Sequence, residues 1–435
     1  MVDVRALHIA FSLLSGRLVT QLSRRSGRKA ALLLASIAFA LIVFMGCRHI
    51  YQSYASDELR DVLQLHRSLV YSRTVLATNY FDDAFVRRGL GGSIVRILGK
   101  NWIEGSALFI VISVVWLALP LSAIVKRLAE TISVKVALFF LLILIVSPQT
   151  FLAWSLDFTR TDMMVAGFIV WSCVLMQTGK LYRASIVLVL GSLVHETSLI
   201  YGLPILAALA LELRSRGRLN LSSMVRASII VISGTAALLI LQALLSASPQ
   251  TIAMHMLSAA PKSAHPFFVN AQIMATYMQV TGPQGVKDAI CLNAEEGGVY
   301  IFWSSMALIA VLAYLIILPF YRRYLLFALA ALVPCCFLLL VANDIGRWAQ
   351  LSVLNAWLLS STLTLWEEES PPADLRLTAG VVGVIGMLAL GSGRYDRPFT
   401  LYRLRYVVAP VPYRVPYTKL MDRCAPGWRL AATAP

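Results

Sequence analysis

The chain has 435 residues, of which 58% are hydrophobic and 14% are charged, and its mean hydropathy is +0.74. These values exclude an ordinary soluble domain and predict a polytopic membrane protein. The net charge of +16 would indicate nucleic-acid binding in a soluble chain. Here the basic residues are spread over loops between apolar runs, where they orient helices and contact anionic lipid. No nucleic-acid-binding motif is present, so we expect membrane lipids as partners and no nucleic acid.

The first segment, residues 1–29, is basic and precedes the apolar run 30–47. A basic flank of this kind is retained in the cytoplasm, so we expect a cytoplasmic N-terminus. The sequence Met45-Gly46-Cys47-Arg48 lacks the A-x-A pattern of a cleavage site, which argues against a cleaved signal peptide.

Apolar runs of about 17–25 residues are long enough to cross a bilayer as helices. They fall at 30–47, 105–125, 132–147, 163–178, 184–213, 227–247, 299–319, 325–342, 348–366 and 377–392. The pattern predicts an all-α transmembrane domain over 30–392 with about 10–11 transmembrane helices. Its outer loops are 48–104 and 248–298, and a basic tail, 393–435, follows. The last helix would place this tail outside, whereas its arginines favour the cytoplasm, so the side of the tail stays open.

The apolar run 184–213 is too long for one span and too short for two. It is interrupted by His195-Glu196-Thr197. We expect a pair of short helices with a turn near His195, because non-helical backbone at membrane depth is tolerated where it lines a polar cavity.

The most polar passage near the apolar segments is Tyr80–Gly92, YFDDAFVRRGLGG. On a helix, Asp83 and Arg87 would lie on one face as an i,i+4 pair. The glycines that follow, Gly89, Gly91 and Gly92, predict that this helix ends there. The simplest interpretation is a surface salt bridge on a short amphipathic helix.

Four polar clusters share the predicted outer face, and ionisable groups near span ends are functional candidates because they are costly unless paired or facing a cavity. The clusters are Asp82, Asp83, Arg87 and Arg88; Asp157, Arg160 and Asp162; His195 and Glu196; and Asp344 and Arg347. The alternative for each cluster is an ordinary capping or interfacial charge pair.

Residue type indicates the chemistry of these clusters. A carboxylate beside a membrane-level cavity can act as a general base for a sugar hydroxyl. Arginines can contact a phosphate or pyrophosphate with two hydrogen bonds. His195 could serve in either role, or it could hydrogen-bond a carbonyl at the helix turn. No CxxC, HExxH, nucleotide-binding loop or GxSxG is present, so no cofactor is evident, although clustered carboxylates could hold a divalent metal ion.

Over residues 30–366 the general plan resembles that of bacterial envelope glycosyltransferases that use polyprenyl-linked sugars, namely the GT-C enzymes and the Wzy- and EpsG-type polysaccharide polymerases. The resemblance depends on FDDAFVRRG, DFTRTD, the His195-Glu196 break and NDIGRW. It implies Asp83 or Asp82 as the catalytic base. It implies that pyrophosphate is bound by Arg87, Arg88, Arg160 and Arg347. From their places in the polar clusters, we expect supporting roles for Asp157, Asp162, Glu196 and Asp344.

We therefore expect a multi-pass protein of the bacterial inner membrane that acts on its outer face. It would transfer a sugar or oligosaccharide from a polyprenyl phosphate or pyrophosphate donor to a glycan or lipid acceptor. The alternative is a transporter or flippase for an anionic lipid-linked glycan, with the His195 break as a discontinuous helix at its binding site.

Two of the six cysteines, Cys291 and Cys424, fall in polar segments. If both lie outside, an oxidising compartment would favour a disulfide between them. If the tail is cytoplasmic, Cys424 stays reduced.

Overall fold

A computed structural model describes residues 27–55, 76–85, 89–98, 102–146, 161–245, 247–248, 251–252, 255, 287, 291, 324–341, 345–366 and 423. Within these ranges the chain is helical and has no β-strand. The helices are α1 Gly27–Ala55, α2 Gly89–Leu98, α3 Trp102–Thr131, α4 Val134–Val146, α5 Asp162–Gln177, α6 Leu181–Val194, α7 Thr197–Ser215, α8 Leu221–Leu245, α9 Tyr324–Val341 and α10 Ile345–Trp366.

Three described helices are long and apolar enough to cross a membrane, at Leu108–Thr131 within α3 and along α7 and α8. The prediction of a helical chain with membrane-capable helices is confirmed to that extent. The spans predicted at 299–319 and 377–392 lie outside the described residues. The full count of 10–11 transmembrane helices therefore stays a prediction.

Helix α10 occupies the centre of the bundle and packs against α3, α4, α5, α7 and α9. Its residues from Leu351 onward are almost all buried. The Trp357 indole N–H donates to the Phe140 carbonyl of α4 at 2.9 Å, and the Asn355 amide donates to the Tyr201 carbonyl of α7 at 3.0 Å. Buried donors need such acceptors, so these bonds fix how α10 sits between its neighbours.

Helix α8 lies at the edge of the bundle and packs mainly on α6. No residue in its most apolar 18-residue window is buried. Gly234 lies against Val189, where a Cβ atom would come within 2.8 Å of the valine side chain. The rest of α8 presents its apolar side chains outward, as a lipid-facing helix does.

The helix predicted to contain Asp83 and to end at the glycines is wrong. Residues 76–85 form turns, and Gly89, Gly91 and Gly92 lie in the first turn of α2 instead of ending a helix. The reason is close packing. A Cβ atom on Gly92 would overlap the carbonyl oxygens of Thr78 and Leu76, so glycine lets the preceding backbone lie directly on α2.

The predicted helix break at His195 is confirmed. Helix α6 ends at Val194, His195 has an extended backbone with φ −167° and ψ 131°, and α7 begins at Thr197. Helices α6 and α7 are thus separated by a turn of two residues, His195 and Glu196.

Several helix ends that the sequence assigned to one face meet at one end of the bundle. The Tyr80 hydroxyl reaches the Leu193 carbonyl at the end of α6, and the Asp83 carbonyl accepts from Ala247 N just beyond α8. Gly91 lies against Thr161, the residue before α5. The loop of residues 76–85, here called the acidic loop, therefore contacts the ends of α6 and α8, while α2 beside it contacts the start of α5.

The opposite helix ends carry a separate polar network. Gln177, the last residue of α5, accepts from Arg127 of α3 at 3.1 Å and donates to Thr362 of α10 at 3.1 Å. Arg216, just after α7, binds Glu212 at 2.8 Å and donates to the Trp366 carbonyl at 2.6 Å. The described part of the bundle thus has two polar ends separated by an apolar middle.

Candidate functional site: the acidic loop and His255

The acidic loop is held in its turn by the side chain of Asn79. Its Oδ1 accepts from the backbone N–H groups of Phe81 and Asp82 at 2.9 and 3.0 Å, and its Nδ2 donates to Ala77 O and Asp82 Oδ2 at 2.8 and 2.9 Å. An asparagine that bonds the backbone two and three residues ahead replaces regular structure with a tight turn. This turn presents Asp82 and Asp83 in different directions.

Ser93 of α2 attaches the loop to the bundle. Its Oγ accepts from Tyr80 N at 2.9 Å and donates to Gly89 O at 2.8 Å. Together with the close backbone contact at Gly92, the bond from Tyr80 N to Ser93 Oγ fixes the position of the acidic loop against α2.

Tyr80 connects the loop to the turn between α6 and α7. Its ring stacks on Phe85 with centroids 5.1 Å apart, and its hydroxyl donates to Leu193 O at 3.4 Å. Burial raises the pKa of Tyr80 to about 12, against a smaller lowering by a hydrogen bond with the Leu90 backbone. Tyr80 therefore stays neutral and acts as a hydrogen-bond donor at physiological pH.

Asp83 is the buried carboxylate of the site, with a side chain only 1% exposed. Its Oδ2 accepts from Asn79 N at 3.0 Å, and both Oδ1 and Oδ2 lie 3.0 Å from Nδ1 of His255. The next residue, Ala84, has φ +55°, a left-handed conformation that costs a non-glycine residue about 1 kcal/mol. The loop keeps this strained backbone while holding Asp83 against His255.

Asp82 is the exposed carboxylate of the site. Its Oδ1 lies 3.1 Å from an Arg96 guanidinium nitrogen, and the two side chains are 32% and 56% exposed. An ion pair this exposed contributes little to stability. Asp82 and Arg96 therefore form the partly exposed edge of the acidic loop.

The sequence pattern does not identify His255, because no motif or spacing rule connects it with the acidic loop. It is 172 residues from Asp83 and belongs to the segment that follows α8. Its position in the predicted topology could have indicated it. His255 lies a few residues beyond the predicted outer end of one helix, and the acidic loop lies in the outer loop that follows another helix.

His195 lies at the helix break and is buried, with 2% exposure. Its Nδ1 accepts from Thr197 N at 3.2 Å and lies 2.9 Å from the Thr197 hydroxyl, while Glu196 Oε2 is 3.6 Å away. The imidazole thereby satisfies an amide in the first turn of α7, one of the amides that a helix leaves unpaired.

Asp162 is buried at the first position of α5, where the helix dipole favours a negative charge. The other predicted site residues are not placed. Arg347 belongs to α10, but its side chain is not described. The remaining residues lie outside the described ranges, namely Arg87, Arg88, Asp157, Arg160, Asp344 and Cys424.

Cys291 is disulfide-bonded, whereas Cys47 and Cys173 are free. Its partner is thus neither of these two residues, and the predicted bond to Cys424 stays a prediction. Among the described residues, no three His, Cys, Asp or Glu side chains are grouped so that they could hold a metal ion.

Comparisons with protein-family models, with curated proteins and with solved structures found no match for this chain. Function is therefore inferred from the chemistry of the site.

Proposed function

We propose that the protein is a membrane glycosyltransferase or polysaccharide polymerase that uses a polyprenyl phosphate- or pyrophosphate-linked sugar donor at the outer face of the bacterial inner membrane. The observation that carries the proposal is the buried Asp83, held against His255 at the end of a bundle with membrane-capable helices. A carboxylate and an imidazole in contact form an acid–base pair. Transfer of a sugar to a hydroxyl acceptor needs such a pair to remove the hydroxyl proton.

The location suits a lipid-linked donor. A polyprenyl chain stays in the hydrocarbon while its phosphate lies at the membrane interface. The catalytic groups that act on the sugar–phosphate bond must therefore lie near a helix end. The exposed Arg96 lies beside the acidic loop and offers a cation for a phosphate oxygen. The predicted phosphate-binding arginines, Arg87, Arg88, Arg160 and Arg347, are kept in this proposal.

The test is transfer in proteoliposomes that contain the full chain. The probe is a polyprenyl-diphosphate-linked oligosaccharide labelled in its sugar, offered with an unlabelled glycan acceptor. We expect label to appear in a longer glycan while polyprenyl diphosphate is released. Donor that is recovered intact, with every acceptor and donor sugar tried, would contradict the proposal.

A transporter of a lipid-linked anionic glycan is the second candidate, favoured by one observation. The helix pair α6 and α7 is interrupted at a buried histidine, as in discontinuous helices that bind substrates. The same proteoliposomes separate the two functions, since a transporter moves the labelled donor to the other leaflet without breaking the sugar–phosphate bond.

A further inference from the structure

Asp83 is poorly placed to take a proton from substrate itself. A general base must come within hydrogen-bond reach of the proton that it removes. The Asp83 side chain is 1% exposed, and both of its oxygens are engaged by Asn79 N and His255 Nδ1. A substrate hydroxyl would have to displace one of these bonds to reach it.

The contact between Asp83 and His255 determines which imidazole nitrogen carries the proton. An ionised carboxylate only accepts hydrogen bonds, and Asn79 N already donates to Oδ2. Nδ1 of His255 lies 3.0 Å from each oxygen, so it is the donor. In a neutral imidazole with Nδ1 protonated, Nε2 carries the basic lone pair.

His255 is partly exposed at the surface, whereas Asp83 is buried. Its side chain is 27% exposed, compared with 1% for Asp83. The pair thus connects a buried anion to a partly exposed base, an arrangement in which the carboxylate orients the ring and stabilises the imidazolium that forms.

We infer that His255 is the catalytic base of the proposed transfer and that Asp83 is its positioning residue, an inference that rests on the proposed function. Nε2 of His255 takes the proton of the acceptor hydroxyl while that oxygen bonds to the anomeric carbon of the donor. The bond from this carbon to the phosphate oxygen breaks, and its electron pair leaves with the polyprenyl phosphate or diphosphate. The imidazolium is balanced by the Asp83 carboxylate and later returns its proton to water.

The closing experiment has one readout that needs no substrate. Purified full-length protein is treated with diethylpyrocarbonate, which acylates unprotonated imidazole, and the modification of His255 is followed by mass spectrometry. The reaction is run at a pH well above the ordinary imidazole pKa, so that the ring is unprotonated in both proteins. We then expect Asp83→Asn to slow labelling of His255 several-fold, because the amide neither fixes the reactive tautomer nor stabilises the cationic intermediate. The matched variant is Glu130→Gln, which removes a carboxylate from the exposed pair with Lys126, outside the acidic loop. It should leave the labelling rate unchanged.

The second readout is the rate of transfer in the proteoliposomes. Asp83→Asn should lower kcat by about 10²–10⁴-fold with little change in KM, because the loss concerns proton transfer. Asp83→Glu keeps the carboxylate and should recover part of both the labelling rate and kcat. This recovery guards against a fold defect in the asparagine variant.

The outcomes separate this inference from the proposed function. Transfer with a His255 labelling rate that is indifferent to Asp83→Asn, or full transfer in Asp83→Asn, would overturn the inference and leave the glycosyltransferase intact. No transfer with any donor, but labelling that depends on Asp83, would refute the proposed function. It would support the pair as a proton acceptor for another hydroxyl.

Discussion

The two described histidine sites lie at the same end of the bundle and use Nδ1 in opposite ways. At the α6–α7 turn, Nδ1 of His195 accepts a hydrogen bond from Thr197 N, and the side chain is 3% exposed. After α8, Nδ1 of His255 lies 3.0 Å from both Asp83 oxygens, to which it can only donate if the carboxylate is ionised, and the side chain is 27% exposed. The first imidazole completes a helix start, whereas the second has the orientation that the proposed base requires. If the proposal holds, the direction of one hydrogen bond distinguishes the structural histidine from the catalytic one.

The largest expected effect comes from replacing each of the two histidines, which tests directly whether their roles differ. His255→Gln removes the proton acceptor and should lower kcat for transfer by about 10²–10⁴-fold. His195→Asn keeps an oxygen that can accept from Thr197 N, so transfer should stay within a few-fold of wild type. Its free energy of unfolding should fall by about 1 kcal/mol at most. Equal losses of kcat in the two variants would show that the histidines do not differ as described.

The disulfide at Cys291 gives the next largest effect. A disulfide typically contributes about 2–4 kcal/mol to stability, and Cys291 belongs to the same predicted outer loop as His255, whereas His195 is held by its own two helices. Cys291→Ser should therefore speed modification of His255 by diethylpyrocarbonate and lower thermal stability, without changing the modification of His195.

Cys47→Ser is the matched control for this variant, because Cys47 is a free thiol in α1. Peptide mapping under non-reducing conditions would identify the partner of Cys291, which we expect to be Cys424. A Cys47→Ser effect as large as that of Cys291→Ser would remove the special role of the disulfide.

A smaller effect is expected from substitutions at the contact between the acidic loop and α2. Gly92→Ala would push the Thr78 and Leu76 carbonyls away from α2 and should destabilise the protein by about 1–3 kcal/mol. Gly91→Ala meets the Leu76 side chain at 3.1 Å, where a flexible side chain can give way, and should be milder. Denaturant unfolding of the two variants measures the difference. Equal stability would mean that the loop does not depend on the contact at Gly92.

The smallest effect concerns the exposed edge of the site. Arg96→Gln removes the ion pair with Asp82 and should change the free energy of unfolding by less than about 1 kcal/mol, and less still at high salt. Lys126→Gln, which removes the exposed pair with Glu130, is the matched control. If only Arg96→Gln raises KM for the lipid-linked donor, then Arg96 contacts the phosphate. A matching KM in both variants would contradict that contact.

Sequence reasoning predicted what depends on local apolar patterning. The long helices, the break at His195 and the gathering of polar helix ends all follow from the length of apolar runs and the residues that interrupt them. The contact between Asp83 and His255 could not be predicted in this way, because the residues are 172 positions apart and no spacing rule connects two loops. Gly92 was misinterpreted for a related reason, since its role depends on backbone that packs on it from Thr78.

The edge position of α8 has a consequence for how the site comes together. Asp83 is anchored to α2 through Asn79, Ser93 and Gly92, whereas His255 follows a helix in which only Ala227 is buried. Local opening costs less where few apolar contacts are broken. A tilt of α8 would withdraw Ala247 and His255 from Asp83 while leaving the centre of the bundle undisturbed. We therefore expect the contact between Asp83 and His255 to form in a docking step with its own equilibrium, separate from the folding of the bundle.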